Sequence, residues 1–137
     1  MSNKNPILLR LFSIVAIVFG LLTIKSGGMV LFTDGAVHQA AGNYVPFVLW
    51  FNFMAGFAYV VAGVGLWQQR RWARNLAVMI AVATVTIFML FGVYILNHGA
   101  YEIRTVVAMS VRSTLWITIA LVAVILGRRL KQNVAQV

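Results

Sequence analysis

No cysteine occurs among the 137 residues. That absence excludes a disulfide framework, thiol nucleophiles, thiol–disulfide exchange and cysteine-ligated zinc or iron–sulfur sites. Acids are almost missing too: Asp34 and Glu102 stand against 11 Lys and Arg, for a net charge of +9. Charge of either sign is scarce, at 9% of residues, where a soluble domain carries about 25%. What fills the chain instead is apolar: 62% of it is hydrophobic, with a mean hydropathy of +0.93. A soluble sphere of this size has too little interior to hide so many apolar side chains. The composition therefore disfavours a soluble enzyme, a disordered regulator and a secreted scaffold. It points to a lipid bilayer as the solvent.

A spanning helix needs about 20 mostly apolar residues, and four segments qualify, at about 11–30, 46–67, 73–96 and 105–127. Pro46 suits the first turn of the second helix, where its missing N–H costs nothing. Gly127, followed by Arg128 and Arg129, suits a helix end at the headgroups. The expectation is one all-α domain over residues 1–137, an integral membrane bundle of four transmembrane helices. The first apolar run is long and lacks a small-x-small cleavage pattern, so it is read as a retained helix rather than a signal peptide.

Basic residues choose the orientation. Lys4 and Arg10 precede the first span, Arg70, Arg71 and Arg74 join the second to the third, and Arg128, Arg129 and Lys131 follow the fourth. Eight of the 11 basic residues thus fall on one side, which predicts an N-terminus and a C-terminus that are both cytoplasmic. Their place at the ends of apolar runs also argues against a nucleic-acid partner. The expected location is the inner (plasma) membrane, multi-pass. The short inner connection makes the second and third spans antiparallel neighbours. The first outer connection is longer and is expected to form a loop or short helix on the membrane surface.

Three spans carry stripes of small residues at helical spacing. Ser13, Ala16, Gly20 and Thr23 recur in the first, Asn52, Gly56, Tyr59 and Gly63 in the second, and Ala77, Ala81 and Thr84 in the third. Such stripes let backbones approach where lipid supplies no hydrophobic drive between helices. They suit bundle packing or a homo-oligomer.

Polar residues that fall inside the hydrocarbon carry the functional expectation. Lys25 lies 15 residues beyond Arg10, Asn52 lies 16 before Gln68, and Arg112 lies 16 before Arg128. At about 1.5 Å per residue, all three sit about 22–24 Å from the inner edge, in the outer third of the membrane. Tyr94 falls slightly above this layer. A charge within the bilayer costs about 2.5–3.5 kcal/mol on insertion scales and usually marks a cavity, a pair or a pathway. Counted over the outer half, Lys25, Arg104 and Arg112 outnumber Asp34 and Glu102 by one charge. If this layer is buried, at least one cation is expected to reach water, a lipid phosphate or an anionic ligand. Arg112, one turn from Trp116 on the same helix face, is the least easily explained of these residues.

Three function classes follow. The first is a non-catalytic membrane protein, transporter-like or an accessory subunit of a larger complex. In it Arg112, with Lys25, Asn52, Tyr94, Glu102 and Arg104, binds an anionic group: a lipid head group, carboxylate or small anion. The second is a divalent metal site, zinc or copper, at the outer face. Its ligands would be His98, Glu102, His38 and Asp34, with His98 and Glu102 sharing a helix face if the last helix begins early. Bis-histidine haem is disfavoured because both histidines belong to outer connections. The third is a membrane enzyme acting on lipid or quinone, with His98 and Glu102 as base and orienting carboxylate; no spacing selects a reaction, and no catalytic residue is assigned. Size and span count are similar to those of the small multidrug resistance exporters. Their resemblance implies an acid in the first helix, and this first helix has none, which puts proton-coupled cation export in doubt.

Overall fold

In lipid, each backbone N–H and C=O must find its partner within its own segment, so long apolar runs become helices. A computed structural model describes residues 4–33 and 35–136. The chain forms α1 (Lys4–Phe32), α2 (Ala36–Ala40), α3 (Pro46–Trp67), α4 (Arg71–Leu96) and α5 (Ile103–Ala135). All but α2 are long and apolar enough to cross a membrane, and no strand occurs among the described residues. Pro46 opens α3 as its first residue.

Two boundaries differ from the sequence expectation. Helix α1 starts before Leu11, and α5 runs through Gly127 to Ala135 instead of stopping there. Gly127 is not a terminator. It is a buried helical residue on which the Arg74 side chain lies. The Arg, Leu, Lys and Gln that follow are good helix formers and extend the helix.

α1 packs chiefly on α3, α3 on α4, and α4 on α5, with a narrower seam between α1 and α5. The start of α1 and the end of α5 therefore lie beside the α3–α4 turn, at an end that also carries Arg10, Arg70, Arg71, Arg74, Arg128, Arg129 and Lys131. It is called here the basic end. α2 and the α4–α5 connection lie at the far end.

The small-residue stripes become the α1–α3 contact. A Cβ on Gly20 would stand 2.8 Å from the Gly56 carbonyl oxygen, and one on Gly63 would stand 3.0 Å from that of Ser13. Backbones this close exclude larger side chains at those points. Trp116 and Tyr59, both fully buried, meet with ring centroids 4.7 Å apart at the centre of the main core. A second, smaller core at the far end gathers Val45, Val48, Phe91 and Met109. The outside of the bundle exposes Ile14, Leu22, Met79, Val82, Met89 and Leu121, an apolar surface far too extensive for water.

Helices α3 and α4 end alike. The Arg70 and Gln69 N–H groups donate to the Gly65 and Leu66 carbonyls, and those of Gly99 and His98 donate to Tyr94 and Ile95. These are Schellman turns. Their left-handed residues are Gln69 (φ 57°) and His98 (φ 63°).

Candidate functional site

Arg112 sits on α5, nine residues or about 14 Å inside its first residue, and is only 8% exposed. Its neighbours come from α1. The guanidinium carbon lies 5.5 Å from the centre of the Phe19 ring, a cation–π distance, and Nη2 donates to Thr23 Oγ1 at a long 3.5 Å. Nε and Nη1 are buried with no hydrogen-bond partner. Among the described residues no carboxylate bonds this guanidinium. Trp116, one turn away, does not support it. Its indole meets the Tyr59 ring instead, with the two planes tilted by 34°, in the central core.

Arg112 forms the floor of a cavity of about 270 Å³ between α1, α3 and α5. Thr23 and Ser26 line it from α1, Asn52 from α3, and Thr105 from α5. Asn52 Oδ1 is buried and unpartnered. Rotating that amide by a half-turn presents its N–H donors in the same place. Glu102 and Arg104 stand at the mouth, and both are engaged. Glu102 Oε1 accepts the Asn43 N–H at 2.9 Å, and Arg104 Nη2 donates to the Ala40 carbonyl at 2.8 Å. Together they tie the α2–α3 connection to the start of α5. Gly42 adopts φ 65° beside the Glu102 carboxylate, where a Cβ would collide with Oε1.

The remaining expected site residues are placed elsewhere. Lys25 is exposed on the bundle surface and does not line the cavity. The 15-residue count carries no information on direction, and α1 turns Thr23 inward and Lys25 outward. Tyr94 is also outside it: its hydroxyl donates to the Ala100 carbonyl at 3.1 Å and its ring packs against Phe47. His98 and Glu102 do not share a helix face, because α5 begins only at Ile103. His98 is exposed and ends α4. Among the described residues no three His, Asp or Glu side chains gather. Asp34 and the side chain of His38 lie outside the described residues.

Sequence spacing did not bring out Phe19 and Thr23 as partners of Arg112. Thr23 stood in a small-residue stripe and read as packing; only the α1–α5 seam gives it a cation. Polar atoms continue inward from the cavity floor. Tyr59 Oη, Thr84 Oγ1, Ser113 Oγ and Trp116 Nε1 are all buried with no hydrogen-bond partner among the described residues. No known protein family, curated protein or solved structure matches the chain.

Proposed function

We propose that the protein is a non-catalytic, multi-pass membrane protein whose far-end cavity receives an anionic group, a carboxylate or a phosphate, against Arg112. One observation carries the reading: a buried guanidinium keeps Nε and Nη1 unpartnered while forming the floor of a cavity. A buried charge without its partner is strongly unfavourable, and a planar guanidinium suits carboxylate and phosphate oxygens. Asn52, Thr23 and Ser26 would add neutral hydrogen bonds. Glu102 and Arg104, held by the α2–α3 connection, would frame the mouth. The basic end would face the cytoplasm, so that the cavity opens to the outer side of the inner membrane. The buried polar atoms of Tyr59, Thr84 and Ser113 suit a transporter-like role.

Thermal unfolding of detergent-purified protein tests the reading, with decanoate as the carboxylate probe. Decanoate is expected to raise the Tm of the wild type and to leave that of Arg112→Leu unchanged. Equal shifts in the two proteins would overturn the assignment of Arg112. Thr23→Val and Asn52→Leu should each weaken the decanoate effect, by about two- to tenfold in apparent affinity for one lost hydrogen bond.

A further inference from the structure

A second cavity lies at the opposite end of the molecule from Arg112. It encloses about 760 Å³ between the α3–α4 turn, the start of α4 and the last turns of α5. Arg70, Arg71 and Arg74 line one side, and Arg128 and Lys131 the other. Five cations thus converge on one space. Among the described residues no carboxylate side chain neutralises them, since Glu102 is bound at the far end. Among the described residues none of the five side chains makes a hydrogen bond or ion pair.

Orientation alone does not require this convergence. Charges that only set topology need to be on the correct side; they need not surround a cavity. Here the fold makes room for them. Gly127 is buried in α5, and a Cβ there would collide with the Arg74 guanidinium, so the glycine admits that side chain between the helices. α5 continues past Gly127 to Ala135, which builds the second wall. The N-terminus of α4 opens at the same place, with no side-chain cap and no acid in its first turn. Its free N–H groups and positive dipole end add to the attraction for an anion. Arg129, by contrast, does not line the cavity.

We propose that this basic cavity binds a phosphate-bearing ligand, whose source is either the head group of an anionic phospholipid or a soluble phosphate. Its position at the helix ends puts it at the level of lipid phosphates, and Leu66, Val124 and Val134 give it an apolar lining. Basic pockets between spanning helices at the cytoplasmic side are suited to such head groups.

The full-length protein in detergent would be titrated with phosphatidylglycerol, with phosphatidylcholine of the same chains, and with inorganic pyrophosphate. Native mass spectrometry would read the bound species. Phosphatidylglycerol retained in preference to phosphatidylcholine supports the lipid source; pyrophosphate bound, or displacing the lipid, supports the soluble one. Arg74→Gln combined with Arg128→Gln is expected to weaken binding of the phosphate ligand about twenty-five-fold, a factor of about five for each charge. Arg129→Gln should change it less than about twofold, because that charge stands outside the cavity and contributes only to the screened surface field. Gly127→Val leaves the charge unaltered but evicts Arg74, and should weaken binding about fivefold, as the loss of one charge from the cavity does. If that variant does not fold, the Gln pair carries the test. Retention of neither ligand, or an equal loss from Arg129→Gln and from the double variant, would overturn the proposal.

Discussion

Arg112 is surrounded by an aromatic face, a hydroxyl at 3.5 Å and unpartnered space, so its burial is not offset by an acid. Replacing it by leucine removes a desolvated charge and keeps the volume. In the absence of added anion, Arg112→Leu should therefore be more stable than the wild type, by about 1–3 kcal/mol. A lower Tm in detergent would mean that the guanidinium contributes to packing instead. His98 also invites a stabilising change. It is a left-handed residue in a Schellman turn, a position that favours glycine. His98→Gly is expected to stabilise by about 0.5–1 kcal/mol, and the same variant analysed for bound zinc tests whether this histidine is also a ligand. At Gly42 the sign reverses. Alanine would meet both the positive φ and the Glu102 carboxylate, so Gly42→Ala should lower stability by at least about 1 kcal/mol.

Among the elements, α1 and α3 form the closest pair, and the glycines decide it. The Gly20–Gly56 and Gly63–Ser13 approaches leave no space for a branched side chain. Gly56→Val should cost about 1–3 kcal/mol by overpacking. An equivalent change at Gly92, whose Cβ direction is open, should cost far less. Thermal unfolding of the two variants side by side checks the difference. The α3–α4 turn and the α4–α5 connection share one capping geometry, yet they serve different ends. The first places Arg70 and Arg71 at the basic cavity. The second brings Glu102 and Arg104 back onto the residues before α3, which holds the mouth of the Arg112 cavity.

For the whole molecule, charge and architecture agree on polarity. Four long helices return the chain to its starting end, and most of the basic residues collect there. Since the protein has no cysteine, single-cysteine variants need no other change. Asn97→Cys should react with a membrane-impermeant thiol reagent added to intact cells. Gln68→Cys should react only after permeabilisation. The reverse pattern would invert the proposed orientation and turn the Arg112 cavity toward the cytoplasm. The two cavities lie at opposite ends of one bundle, so each can be altered without touching the other.

The helical architecture was legible before any coordinates, because hydrocarbon leaves a backbone of this composition few alternatives. Segment length, the position of Pro46 and the scarcity of charge were enough to place four spans and a short helix or loop after the first. Small-residue spacing likewise foretold that α1 and α3 would present Ser13, Gly20, Gly56 and Gly63 to a neighbour. Spacing along each helix axis was readable as well, since rise per residue is constant along a helix. Direction was not. Lys25 and Thr23 differ by two positions on α1, about 200° around its axis, so one meets lipid and the other meets Arg112. Whether Glu102 sits on a helix face or folds back to Asn43 depended on where α5 begins. In the fold α5 begins at Ile103, and the Glu102 carboxylate accepts the Asn43 N–H. The convergence of Arg70, Arg71, Arg74, Arg128 and Lys131 was hidden for the same reason: sequence counts charges per side, and only the packing of α4 against α5 gathers them around one space.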